Sequence, residues 1–230
     1  MLKMRGITGI VVNVALFLVI AALYAITAEP FAGAKPTIGS AVYMGTNTDA
    51  VALQWTLSYK AGSLDKILNT LESRNISSTF FISGEYVRRN PEQVRKIVSM
   101  GHEIGTLGDY PNSDGDIAWV EQDIITSIQS IKEICGITPR LYYSAARKQN
   151  VSDRAAKNLG ITHVKCTIDL LCARDDAENI VLRARNAAGG NIILMQPTAQ
   201  AGESLEELLL HFEEMKLEVV TTGELIGLYD

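Results

Sequence analysis

The chain has 230 residues, 47% of them hydrophobic and 20% charged, enough for one globular domain with a sizeable core beyond its N-terminal stretch. Its formal net charge is -5. That balance excludes nucleic acid as the expected partner, because no basic stripe is present to neutralise phosphates.

Lys3 and Arg5 precede a stretch from Gly6 to Ala28 that carries no charged side chain. At about 1.5 Å per residue it is long enough to cross a hydrocarbon core of about 30 Å. Positive charge before it and Glu29 after it place the N-terminus in the cytoplasm and the rest outside. Residues 1–28 are therefore expected to form a signal anchor, with membrane attachment through residues 6–28 as one transmembrane helix. The alternative is a cleaved signal with release of the domain: Ala32-Gly-Ala34 resembles a cleavage site, although the apolar region of a signal normally runs to only about 7–15 residues. Residues 29–40, rich in Gly, Pro and small side chains, read as a linker, and residues 41–230 as the domain.

Within the domain, short apolar runs alternate with amphipathic segments. Val51–Leu57 reads as a strand. Leu64, Ile67, Leu68 and Leu71 share a helical face within 64–74. Residues 78–82 read as a strand, and 91–100 as a helix with Pro91 in its first turn. A strand over 103–107 precedes a long helix over 117–135, which Gly136 is placed to cap. Strands over 141–144, 163–170, 191–196 and 219–221 alternate with helices over 152–159, 177–187 and 205–215, and a helical turn ends the chain. Strand–helix alternation at this spacing predicts an α/β fold with parallel strands. Periodicity alone leaves an open doubly wound sheet and a closed barrel both standing.

Three sequence frames narrow the choice: Ile76-Ser-Ser-Thr-Phe-Phe-Ile-Ser-Gly84, Asn90-Pro-Glu-Gln-Val94 and Gly101-His-Glu-Ile-Gly105. Together they resemble the polysaccharide deacetylase (NodB-homology) family, whose members remove N-acetyl groups from chitin-like or peptidoglycan sugars. The resemblance runs from about Val51 to about Leu228. It implies a distorted (β/α) barrel of seven or eight strands, with chemistry at the C-terminal ends of the strands. The N-terminal anchor, the Asn-Pro-Glu helix start and Val220-Thr-Thr-Gly-Glu-Leu225 resemble the membrane-anchored, sporulation-associated subgroup.

The resemblance also implies a metal that polarises the amide and activates water, a carboxylate base and an imidazole acid. After Val51-Ala-Leu53, the base position carries Thr56 and the metal-carboxylate position Leu57. After Gly101-His-Glu-Ile-Gly105, the two imidazole positions carry Leu107 and Pro111. The arginine that would hold the base is Tyr143, and the acid imidazole is Gln196. Of the paired aspartates, Asp169 is retained and the second is Cys172. Leu57, Leu107 and Pro111 offer no side-chain donor, so no zinc or other divalent cofactor is expected. The resemblance thus implies a retained fold without its hydrolysis, with an active N-deacetylase using an atypical site and a protein-interaction module as the alternatives.

Aromatic residues crowd these frames: Trp55, Tyr59, Tyr110, Tyr142 and Tyr143. With Asp169 and Gln196 they form the candidate groove for a cell-wall glycan, since flat faces with polar tips suit sugar stacking. The competing reading is that Trp55 and Tyr142 fill the core and Tyr143 fills the space of the arginine. A membrane or envelope protein is the other candidate partner. Asn112, Asp114 and Asp116 invite a calcium reading, but Ile117 and Asp123 stand where an EF-hand needs Gly and Glu, which favours a solvated turn. His102, His163 and His211 compose no triad. Cys135, Cys166 and Cys172 lack zinc-site spacing; Cys166 and Cys172 read either as a pair or as small buried hydrophobes.

Overall fold

The structure, a computed structural model, describes residues 40–59 and 61–229. The expected membrane segment and most of the linker lie outside the described residues. Among the described residues no helix is long and apolar enough to cross a membrane.

Eight parallel strands form one curled sheet. They are β1 (Ala50–Leu57), β2 (Thr79–Ile82), β3 (Glu103–Thr106), β4 (Leu141–Tyr143), β5 (Thr162–Val164), β6 (Ile168–Asp169), β7 (Ile192–Met195) and β8 (Glu218–Val220). The strand order is β5-β4-β3-β2-β1-β7-β6, with β8 paired to the first residues of β1. The result is a parallel, half-barrel α/β fold. Between β5 and β7, the segment 42–45 adds backbone bonds: Val42 donates to His163 and accepts from Lys165, and Gly45 donates to Gly190.

Helices cover the outer face: α1 (Leu64–Ser73), α2 (Gly84–Arg89), α3 (Pro91–Ser99), α4 (Ile117–Cys135), α5 (Gln149–Leu159), α6 (Ala177–Ala184) and α7 (Ala199–Glu214), whereas the short α8 (Thr222–Leu225) sends Leu225 into the inner cluster. Their starts are chemically specified. The side chains of Ser83, Asp116, Asp176 and Thr198 each accept a bond from a backbone N–H in the first turn, and Thr221 with Glu224 completes a capping box. Gly136 ends α4 with φ 73°, a left-handed geometry that costs a glycine little.

Alternation along β1 separates two cores. Val51, Leu53, Trp55 and Leu57 join α1, α3 and α7 in the outer cluster, whereas Ala50 and Ala52 join Phe81, Leu107, Leu141, Tyr143, Val164, Ile192 and Leu194 inside the curl. Gly105 makes room for Phe81: a Cβ there would lie 2.4 Å from the Phe81 ring.

Besides α2, which no expected helix covers, two further elements differ from expectation. The strand expected over 163–170 is two strands, because the chain changes neighbours: Thr162–Val164 pairs with β4, and Ile168–Asp169 pairs with β7. α7 begins at Ala199 rather than Leu205, since the Thr198 cap starts it before the apolar periodicity becomes visible.

Candidate functional site

The inward-facing strand ends define the site. Thr56 shares the inner face of β1 with Gln54, Ala52 and Ala50, and is partly exposed. Leu107 follows β3, donates its N–H to the Ile82 carbonyl and is buried in the inner cluster. Tyr143 ends β4 in the same cluster, its ring 5.7 Å from that of Phe81. Its hydroxyl lies 3.9 Å from Cys166 Sγ, and Lys165 Nζ sits 5.4 Å over its ring. Burial raises the Tyr143 pKa far above the ordinary phenol value. Asp169 ends β6, is exposed, and accepts a bond from the Leu171 N–H. Gln196 follows β7, half-buried, with Oε1 lacking a partner among the described residues.

Other candidate residues stand elsewhere. Trp55 is not groove wall: its indole is fully buried on the helix side, stacked on Phe80, with Nε1 donating to Ser78 Oγ at 3.0 Å. Tyr142 is also in the outer core, stacked on His163. Strand parity is the reason for both. Leu57 shares that parity, so its side chain enters the helix-side core rather than the mouth. Pro111 is buried, in the loop after β3. Tyr59 and Tyr110 are exposed, and the Tyr59 hydroxyl accepts from Asn112 Nδ2 at 3.2 Å.

The loop after β3 is bound down by two arginines. Arg88 holds Asp109 through two bonds of 2.7 and 3.0 Å. Arg147, nearly fully buried, donates to Asp123 Oδ2 at 2.6 Å and to the carbonyls of Tyr110 and Ser113. Asp123 also accepts the backbone N–H groups of Asp109 and Tyr110. Asp116 caps α4, and Asp114 is an exposed turn residue, in keeping with a solvated turn. The Asp123–Arg147 pair and Trp119 escape sequence reading, because Asp123 lies on α4 and Arg147 in the turn after β4, and only the fold brings them together.

His102 and His163 are held in structural contacts. His102 Nδ1 accepts the Ser78 N–H, and burial lowers its pKa to about 4. His163 Nδ1 pairs with Asp153 at 2.6 Å, and burial lowers its pKa too. All three cysteines are free thiols. Among the described residues no group of three or more His, Cys, Asp or Glu is arranged to hold a metal ion.

A family model for polysaccharide deacetylases matches residues 45–164, just over half of the chain. The chain belongs to the polysaccharide deacetylase family. Among curated relatives, the Bacillus subtilis protein YlxY is 28% identical over 195 residues, covering 80% of this chain and 60% of YlxY. The peptidoglycan-N-acetylglucosamine deacetylase PgdA of Listeria monocytogenes is 27% identical over 169 residues, covering 70% of this chain and 35% of PgdA. The chain thus spans 60% or less of the length of these relatives. Among solved structures, a CE4 family pseudoenzyme from Bacillus anthracis superposes with a TM-score of 0.76 at 21% identity, covering 82% of this chain and 69% of that one. A mutant of that protein, described as having restored enzymatic activity, gives 0.77 at 20% identity, with coverages of 82% and 71%. At such identities the polysaccharide deacetylase likeness in structure speaks for the fold alone.

Proposed function

We propose that this chain is an envelope-facing polysaccharide deacetylase-like protein that binds cell-wall glycan without hydrolysing it. One observation carries the reading: the inward strand ends present Thr56, Leu107, Tyr143 and Gln196, with Asp169 the one carboxylate among them. A metal-dependent amide hydrolysis needs three or four donor atoms around the ion, a base and an acid. The side chains at the corresponding positions do not fit a metal. Leu107 is hydrocarbon and Pro111 has no side-chain donor, while Leu57, turned into the helix-side core, brings no group to the mouth and does not bear on the metal. Gln196 donates and accepts hydrogen bonds but does not exchange a proton near neutral pH.

What remains suits binding. Gln196, Thr56 and Asp169 supply polar groups, and Tyr143 packs in the inner cluster against Phe81. The relatives that act on peptidoglycan support a cell-wall glycan as ligand. The apolar run over residues 6–28 supports attachment to the membrane with the domain outside, and the C-terminal frames support the sporulation-type subgroup. The test is to incubate the full-length protein with peptidoglycan and with chitotetraose, measuring both retention on the glycan and acetate release. Retention without acetate is the expected result. Acetate release abolished by Asp169→Asn would establish an active deacetylase instead. Neither retention nor acetate would leave a protein partner as the reading.

A further inference from the structure

Gln54 is a polar residue that the proposed function leaves unused. It stands on the inner face of β1, between Ala52 and Thr56, and is wholly buried. Neither its Oε1 nor its Nε2 has a hydrogen-bond partner among the described residues. An amide withdrawn from solvent and left unbonded is costly, so buried polar atoms in folded proteins almost always find a partner.

The strand register shows why no side chain supplies one. Gln54 lies beside Leu194 of β7 on one side and Thr79 of β2 on the other. Leu194 is hydrocarbon. The Thr79 hydroxyl donates its one proton to Glu103 Oε2 at 2.6 Å and accepts the Thr222 N–H at 2.7 Å. Glu103 is occupied in turn by the Gly223 N–H and the Tyr229 hydroxyl. Along β1 the inner neighbours, Ala52 and Thr56, are small, so the strand itself does not fill the space about the amide.

Two further atoms are orphaned along the same face. Thr222 Oγ1 is buried without a partner, on the residue whose N–H meets Thr79. Gln196 Oε1 is likewise sealed from solvent and unpaired among the described residues. Because Gln54 stands beside Leu194, Gln196 is one pleat nearer the mouth on the adjacent strand and shares the inner face. Unpaired groups thus run up the inside of the curl, from Thr222 through Gln54 to Gln196. They are mixed in kind: the Gln54 amide and the Thr222 hydroxyl each donate and accept, and Gln196 Oε1 accepts. An anion or a cation would satisfy only half of such a set. The small molecule that donates and accepts together is water, and a buried water typically makes about three such bonds.

We propose that Gln54 holds internal water beneath the mouth and, through it, orients the Gln196 amide. Gln54 is then a positioning residue and touches no ligand itself. Water that accepts from Gln54 Nε2 and donates to Gln196 Oε1 leaves the Gln196 N–H groups turned outward, as donors to whatever enters the mouth. Only that consequence rests on the glycan-binding reading.

The test uses the full-length protein in detergent, isotopically labelled at its glutamine side-chain amides. Cross-relaxation between amide protons and water reads contact with long-lived water. Gln54→Met keeps the length of the side chain and removes both polar atoms, so the sign of its effect discriminates. The expected result is long-lived water at the Gln54 amide of the parent, and a Gln54→Met variant that melts about 2–4 °C lower, because Gln196 and Thr222 lose that water. The Gln196 amide resonances should move in the variant, and retention on peptidoglycan should fall about threefold or more. A variant that melts above the parent, with no water contact in the parent, would overturn the proposal, since hydrocarbon relieves a dry, unpaired amide. A lower melting temperature without water contact would also overturn it, by showing a direct protein partner. Water contact with the Gln196 resonances or the retention unmoved would overturn the positioning role. A parent protein that retains no glycan would overturn the glycan-binding reading and leave the water site, read by the melting and resonance arms, standing.

Discussion

Arg147 shows how far single residues determine the surroundings of the site. Its guanidinium and the Asp123 carboxylate are almost wholly buried, at 2% and 3% side-chain exposure. Removing one partner strands the other charge in a poorly solvating interior. Arg147→Met should therefore cost about 3–5 kcal/mol in urea unfolding, with part recovered in the Arg147→Met/Asp123→Asn double variant. An effect below about 1 kcal/mol would mean that the loop relaxes and admits water. His102 gives a second prediction at this scale. Burial depresses its folded pKa to about 4 from an ordinary 6.5. The unfolded chain then binds the proton first as pH falls, so the contribution is complete above about pH 6.5 and is lost as pH drops toward 4. A loss of about 2–3 kcal/mol across that window is expected, and His102→Gln should flatten it. An unchanged pH profile in that variant would place the titration elsewhere. Neither residue's partners were legible in sequence: a charge or imidazole in a chain does not disclose which face it joins.

Elements were far more legible than sites. The apolar periods of α1 and α4, and the short β-branched and aromatic runs of β2 and β7, are local properties, and helix caps such as Gly136 reinforce them. Legibility stopped where tertiary contacts override local pattern. The chain between Val164 and Ile168 reads as one strand, but Lys165 donates to Val42 and Thr167 to Ile192, so the pairing switches sides. α2 was missed because six residues give too short a period to recognise, although Ser83 caps it. Strand parity in β1 was available in principle. It puts Thr56 inside and Trp55 and Leu57 outside, yet family frames align residues without saying which way each points. Packing across β2 and β3 gives a test at this scale. Gly105→Ala forces a methyl into the Phe81 ring, and overpacking of this kind should cost about 1–3 kcal/mol by thermal or urea unfolding. Phe81→Leu should relieve most of that penalty, and failure to do so would show that the strain lies in the backbone.

At the scale of the molecule, the polysaccharide deacetylase fold and the residues at its mouth point in different directions. The curled parallel sheet is kept, while the strand ends carry hydrocarbon, hydroxyl and amide groups with Asp169 as the one carboxylate. On the proposed reading, installing a metal-dependent hydrolysis takes Thr56→Asp, Leu57→Asp, Leu107→His, Pro111→His, Tyr143→Arg and Gln196→His together. This variant should gain zinc affinity before it gains acetate release, because catalysis needs placement to about 0.5 Å. It should also melt below the parent, since Leu57→Asp sets a carboxylate in the helix-side core unless the end of β1 rotates. Parent-like stability with full activity would show that β1 rotates freely. The central claim is that the parent mouth holds no catalytic metal, for want of donors rather than of space. The most direct measurement is the metal content of the purified full-length protein after dialysis against zinc and then against metal-free buffer. The account predicts well under one ion per chain, unchanged in Asp169→Asn. About one zinc, cobalt or nickel ion per chain, lost in Asp169→Asn or Gln196→Leu, would contradict it.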